Sequence, residues 1–244
     1  MRNVKALIKK LIPQSLLDAY RRLRYPKWYD PKGESVEAVF TQVYKRGLWG
    51  KGEQKYYSGP GSDPNATRIY VDAVRSFIAS NDVRSVLDLG CGDFRVGAQL
   101  LFPTVTYIGV DVVKPLIDYN RRNFGGKNVS FVCGNILEDD LPTASLCLIR
   151  QVLQHLSNEQ IQIVLHRTKQ YRFLLVTEHR PAPSHVSQPN LDIHHGHEIR
   201  MGQGSFVQLD APPFNQEISR ILCEVVLEDG SLLQTVLIEN NASP

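Results

Sequence analysis

The sequence predicts an α/β domain: a mostly parallel sheet with helices on both faces, ending in an antiparallel hairpin. Three observations carry that expectation. Short apolar runs at 83–89, 105–110, 129–133, 145–149 and 173–176 alternate with segments of helical periodicity, and their Val, Ile and Leu content marks strands covered on both faces. The first run feeds directly into Gly90 and Gly92. The alternation then stops in two strand-like runs, 218–227 and 232–238, joined through Asp229-Gly230, a hairpin signal. A chain of 244 residues with 42% hydrophobic content can bury one full core and is short for two large domains.

At the start of the chain, Val4, Leu7, Ile8, Leu11 and Ile12 recur at helical spacing before Pro13, and Leu16, Leu17, Tyr20 and Leu23 repeat the pattern after it. Residues 1–27 hold eight basic side chains against Asp18 alone, a net +7, which leaves −4 for the remainder of a chain whose total is +3. The reading is a basic N-terminal segment of amphipathic helices over 1–46, ahead of a catalytic domain over 47–244. Its apolar stripe either docks on that domain or lies on an anionic membrane surface, and the residues leave both open. No apolar run reaches the roughly 20 residues of a membrane-spanning helix, and Lys9 and Lys10 interrupt any signal-peptide core. The expectation is therefore a cytoplasmic protein, peripheral at the inner membrane surface if the head binds lipid. Cys91, Cys133, Cys147 and Cys223 form no C-x-x-C pair and read as reduced, packed thiols.

The string GLWGKGEQKYYSGPGSD at 47–63 reads as a loop. Asp63 and Pro64 supply an N-cap and a first-turn proline for a helix whose core stripe is Tyr70, Ala73, Val74, Phe77 and Ile78. Ser157 and Gln160 form a capping-box pattern ahead of Ile161, Val164 and Leu165. A helix there completes a βαβ series.

The most informative string is VLDLGCGDF at 86–94. Gly90 and Gly92 let the backbone turn sharply against a bound nucleotide. A dinucleotide fingerprint requires a third glycine where this chain has Arg95, and a pyrophosphate disfavours the flanking carboxylates of Asp88 and Asp93. A sulfonium with an amino-acid tail tolerates them. The D-L-G-C-G string resembles the first motif of class I S-adenosylmethionine-dependent methyltransferases. Asp111, ending YIGVD 23 residues after Asp88, then stands where that family's acidic residue binds the ribose; Asn135 in FVCGNIL stands at its adenine-binding segment; LIRQVLQHLSNEQI is similar to its post-strand-four motif. The resemblance covers about 55–180 and implies a Rossmann-like seven-stranded sheet with S-adenosylmethionine held by Asp88, Gly90, Cys91, Gly92, Asp111, Val112, Asn135, Ile136 and Gln151. YYSGPGSD carries a looser resemblance, to bacterial methyltransferases of glycan and secondary-metabolite clusters, which implies that Tyr57 and Ser58, with Tyr56 beside them, close over the cofactor.

Methyl transfer needs a nucleophile about 3 Å from the methyl carbon, and a hydroxyl acceptor also needs a base. The loops after strands four and five offer His155 as first choice, with Glu178 and His179 as alternatives. Five histidines between 179 and 197 invite a metal reading, but no carboxylate set accompanies them, and no metal is expected. Residues 190–214 read as an insertion roofing the pocket. A looser resemblance to bacterial methyltransferases of glycan and secondary-metabolite clusters assigns Asp192 and Arg200 to a polar substrate. The expected activity is O-methylation of a hydroxyl on a sugar, glycan or other small polar metabolite, in a setting such as polysaccharide biosynthesis. N- or C-methylation of a small metabolite is the alternative within enzymes, and a non-catalytic cofactor-binding partner subunit the alternative outside them. A nicotinamide oxidoreductase is disfavoured by Arg95 and the terminal hairpin. Nucleic-acid substrates are disfavoured by the acidic body and by Arg150-Gln151-Val152-Leu153 where DNA amino-methylating enzymes carry N-P-P-Y.

Overall fold

The computed structural model describes residues 33–185 and 187–240. The two basic amphipathic stripes within 1–27 lie outside the described residues. The described chain runs α1 (Val36–Arg46), α2 (Pro64–Ser80), β1 (Ser85–Leu89), β2 (Thr106–Asp111), α3 (Lys114–Phe124), β3 (Val129–Cys133), β4 (Leu146–Arg150), α4 (Asn158–Arg167), β5 (Phe173–Arg180), two-residue β6 (Gln188–Pro189) and β7 (Ser205–Phe206), β8 (Arg220–Val226) and β9 (Leu232–Glu239). Seven strands form one sheet in the order β3-β2-β1-β4-β5-β9-β8. β1 to β5 are parallel, and β9 enters antiparallel between β5 and β8.

The two faces bury separate halves of the core. On one, Tyr70, Val74, Phe77 and Ile78 of α2 and Ile117 of α3 pack over Val86, Tyr107, Leu148 and Leu175. On the other, Ile161, Val164 and Leu165 of α4, joined by Val207, Leu209 and Phe214, cover Leu87, Cys147, Ile149 and Val176. Central strands buried on both faces explain the unbroken apolar runs in the sequence.

α4 begins at the anticipated capping box: Gln160 N–H donates to Ser157 Oγ at 3.2 Å and Ser157 N–H donates to Gln160 Oε1 at 3.0 Å. Asp63 does stand at the N-cap of α2, but its side chain makes no cap bond. It accepts instead from the Tyr57 hydroxyl at 3.0 Å and from Arg95 at 3.4 Å, a charge-assisted partner that outcompetes a helix amide. β5 extends four residues past the apolar run to Arg180, because Thr177 to Arg180 pair with Thr235 to Leu232 of β9. The polar string T-E-H-R is carried by its neighbour strand, which local composition does not reveal.

One domain boundary changes. α1 falls inside the segment assigned to the N-terminal head, yet Val36, Val39 and Val43 are buried against the domain and Phe40 packs with its core. α1 packs as part of the same body as the sheet, because its apolar face is buried on that core. Among the described residues no helix is long and apolar enough to cross a membrane.

Leu148, buried at the centre of the sheet, reports on this core. Leu148→Ala is expected to lower unfolding stability by about 2–5 kcal/mol, read as a lower urea midpoint with unchanged slope.

Candidate active site

The carboxyl ends of β1 to β5 meet at a cavity of about 960 Å³, the position where open α/β sheets bind ligands. The turn after β1 shapes its floor. Gly90 and Gly92 have φ of +76° and +55°, and a Cβ at Gly90 would lie 2.4 Å from Val152 Cγ2, so only glycine allows the close approach. The Gly90 and Cys91 N–H groups donate to Val110 O at 2.8 and 3.0 Å, fastening the turn to the end of β2. Asp111 fastens it again: Gly92 N–H donates to Oδ2 at 3.1 Å and Val113 N–H to Oδ1 at 3.0 Å. Burial pushes the Asp111 carboxyl up to about 6 despite these bonds. Asp88 is likewise buried; burial raises it to about 6, against the opposing pull of the Tyr107 hydroxyl that donates to it.

The loop between α1 and α2 closes over this floor through a paired bond. Ser58 N–H donates to Asp93 Oδ2 and Asp93 N–H donates to Ser58 Oγ, both at 2.8 Å, with Tyr44 of α1 bonded to the same hydroxyl at 2.8 Å. Arg95 reaches Asp93 at 3.1 Å and lies over the Tyr57 ring at 4.7 Å. Arg150, at the end of β4, donates to Gly61 O at 2.7 Å and Ala66 O at 3.3 Å, so its guanidinium holds the loop to the sheet. The neighbouring Gly61 is pressed so tightly on Gln151 that a Cβ would lie 1.9 Å from its Oε1.

All nine residues assigned to the cofactor on β1 to β4 line the cavity: Asp88, Gly90, Cys91, Gly92, Asp111, Val112, Asn135, Ile136 and Gln151. Asn135 spends part of its side-chain oxygen on Leu137 N–H at 3.0 Å, leaving one lone pair. Ser58 lines the cavity but Tyr57 does not, because its ring is held between Arg95 and Asp63. Tyr56 instead packs edge-on against Tyr44 and Tyr119. Tyr44 and Trp49, not anticipated, also form the wall; the i, i+4 pair Phe40 and Tyr44 on one helix face was the signal available.

The three candidate bases separate. His155 lines the cavity with its Nδ1 3.3 Å from Glu198 O and its ring against Trp49, centroids 5.2 Å apart. Burial drives its pKa down to about 4, so the ring is neutral. His179 also lines the cavity. Glu178 does not: strand alternation turns it to the opposite face, where Leu153 N–H and Gln154 N–H donate to its carboxylate at 2.9 and 3.2 Å. It props the loop after β4 rather than facing an acceptor, and burial raises its pKa to about 8.

Neither proposed substrate contact reaches the cavity. Asp192 accepts from Asn158 N–H at 2.7 Å and Ile193 N–H at 3.0 Å at the start of α4. Arg200 is fully buried and ties two loops together, donating to Leu191 O at 2.5 Å and Leu156 O at 2.6 Å. A long cation inside the strap between β5 and β8 is best satisfied by backbone carbonyls, which a sequence pattern does not display. The strap does roof the site, through His197, Glu198, Ile199 and Gly202, and Trp49 Nε1 donates to His197 O at 3.0 Å across it. His195 instead bridges Gln160 and Glu34 O, both at 3.1 Å. Among the described residues no three His, Cys, Asp or Glu side chains converge on a metal-sized site.

These features suit S-adenosylmethionine. The Gly90–Gly92 turn lines the cavity, the Asp111 oxygens retain lone pairs for ligand hydroxyls, and buried carboxylates favour a cation. Residues 86–171 match the family model described as a methyltransferase domain. Over that segment the chain resembles class I S-adenosylmethionine-dependent methyltransferases. Solved structures similar to this chain include N-methyltransferase NodS from Bradyrhizobium japonicum WM9, with S-adenosyl-L-homocysteine, at 16% identity and TM-score 0.59, covering 82% of this chain and 98% of that one. Magnesium protoporphyrin IX methyltransferase (ChlM) from Synechocystis PCC 6803, with bound SAM, aligns at 13% identity and TM-score 0.52 over 86% and 99% of the two chains. The methyltransferase domain of bacterial CtHen1 aligns at 16% and 0.51 over 70% and 97%. At such identities the likeness is one of fold. No curated protein matches the sequence.

Two outcomes check the cofactor floor. Asp111→Ala is expected to weaken S-adenosylmethionine binding by about 10- to 100-fold in calorimetry, the worth of charge-assisted hydrogen bonds. Because Asp111 protonates near pH 6, affinity in the wild type should fall as pH drops through 6. Asp111→Asn should lose most of that slope and keep a residue from Asp88, which titrates in the same range.

Proposed function

We propose that this methyltransferase methylates a hydroxyl of a small polar acceptor of the sugar or glycan type. The observation that carries the reading is the pair of imidazoles, His155 from the end of β4 and His179 from the end of β5, on the wall of one roofed cavity. A hydroxyl is a poor nucleophile until its proton has somewhere to go, and a neutral imidazole accepts it.

Floor residues divide from wall residues by role. Asp111 and Asp88, with the Gly90–Gly92 turn, would hold the nucleoside and its amino-acid tail. The Ser58–Asp93 clasp, Trp49 and the strap keep water from the reacting centre. S-adenosylmethionine, when bound, supplies an electrophilic methyl group: the acceptor's lone pair forms the new bond while the carbon–sulfur bond breaks and its electrons stay on sulfur.

The remaining wall favours hydrogen-bond donors in the acceptor. Asp63, Glu198, Glu228 and Asp229 line it, while Arg150 has committed its guanidinium to carbonyls. A neutral polyol suits this lining, and a phosphate or carboxylate does not. The same acidic lining supports a second reading, methylation of an amine. A scaffold role finds less support: among the described residues the exposed large apolar side chains Ile69, Val132, Ile163 and Leu191 lie on four separate segments, and Ile221 and Val226 alone share one, β8.

The test follows radiolabelled methyl transfer from S-adenosylmethionine to methyl glycosides, alkylamines and sugar phosphates. Labelling of glycosides alone is the expected result. Labelling of amines alone would replace this reading by the second, and preference for sugar phosphates would overturn both.

A further inference from the structure

The turn between β8 and β9 folds over the cavity and lines it with Leu227, Glu228 and Asp229. Asp229 of that lining belongs to a chain of three side chains that the cofactor floor does not use. His179 Nε2 lies 2.7 Å from the hydroxyl of Ser231, a residue only 2% exposed. The Ser231 hydroxyl in turn donates to Asp229 Oδ1, which also accepts Ser231 N–H at 3.0 Å.

The direction of these bonds is fixed by chemistry. A carboxylate only accepts, so the Ser231 proton points to Asp229 and its oxygen is left to accept from His179. His179 therefore carries its proton on Nε2, and Nδ1 is the basic nitrogen. Register explains why the three meet: His179 pairs with Leu233 near the start of β9, two residues beyond the buried Thr177–Thr235 hydroxyl pair, and the tight turn brings Asp229 back beside Ser231.

We propose that His179 is the catalytic base of methyl transfer, with Ser231 and Asp229 as positioning residues that set its tautomer and stabilise its protonated form. This rests on the reading of the acceptor as an O–H or N–H nucleophile. As the acceptor's lone pair takes the methyl group, its proton passes to His179 Nδ1. The resulting imidazolium donates from Nε2 to Ser231, whose proton remains on the bond to the Asp229 carboxylate, and the charge is balanced by that anion. Among charged groups on the elements around the ring, Asp229 is the one that raises the His179 pKa, against the lowering effect of burial. Glu228 shares its turn, and Asp63 of the α2 cap and Arg150 of β4 line the same cavity. His155 is the weaker base because the Glu198 carbonyl that accepts from its Nδ1 brings no anion to balance an imidazolium, and its ring packs against Trp49 and Phe40, with centroids 5.2 and 6.2 Å away.

The experiment is 15N NMR of the imidazoles in the full chain with S-adenosylhomocysteine, in wild type, Asp229→Asn and Ser231→Ala. The expected spectrum shows His179 as the Nε2–H tautomer, with a titration midpoint that moves down in Asp229→Asn. An Nδ1–H tautomer, or a midpoint indifferent to Asp229, overturns the proposal while leaving cofactor binding intact. Failure of S-adenosylhomocysteine to bind overturns the cofactor reading and the proposal together. With whichever of the glycoside or amine probes is methylated, His179→Gln should lose at least about 100-fold in kcat with KM for S-adenosylmethionine unchanged. Asp229→Asn should shift the acid limb of the kcat/KM profile to lower pH, and Asp229→Glu should restore it. A larger loss in His155→Gln than in His179→Gln would move the base to His155 and refute the assignment.

Discussion

The site depends on the docking of one glycine turn onto the end of a neighbouring strand. Gly90 and Cys91 give their N–H groups to the Val110 carbonyl, and Gly92 gives its own to Asp111. Three amides that a sharp turn would otherwise leave unpaired are thereby satisfied by β2. The same contacts fix the distance between the turn and the Asp111 carboxylate on the cavity floor. Because both ends are backbone and short side chain, little freedom remains to be lost when a ligand arrives, which is the condition for preorganised binding.

Around this fixed floor the structure builds a roof from parts remote in sequence. Ser58 and Asp93 clasp the loop before α2, Trp49 reaches His197 in the strap, and Arg200 braces the strap against the loop after β4. Glu178 supports that same loop from below. Each tie is a hydrogen bond from a buried or half-buried polar group, a kind that is costly to leave unmade in a low-dielectric interior. Residues that look chemically reactive, an arginine and two acids, are thus consumed in shaping the cavity.

The acid–base part of the site obeys the same economy of partners. Of the histidines that line the cavity, His155 and His179 follow β4 and β5, and what distinguishes these two is the partner of each ring. His155 meets a carbonyl and aromatic rings, which leave an added proton as a buried charge. His179 meets a hydroxyl backed by a carboxylate. The difference lies in the hairpin turn, which also supplies acidic lining against anionic acceptors.

By itself the sequence determined the strand sequence, the capping box at Ser157, the glycine turn, and the residues at the ends of β1 to β4 that come to line one cavity. These are legible because periodicity and turn chemistry are local: burial on both faces writes an apolar run, and a positive φ writes a glycine. Tertiary structure alone decided that α1 belongs to the cavity wall, that Tyr57, Glu178, Asp192 and Arg200 are braces, and that Asp229 and Ser231 stand behind His179. The decisive partners among them are remote in sequence: 25 residues separate Glu178 from Leu153, 44 Arg200 from Leu156 and 52 His179 from Ser231. Hydrogen-bond partnership over that separation leaves no period in the sequence, so only the folded chain discloses it.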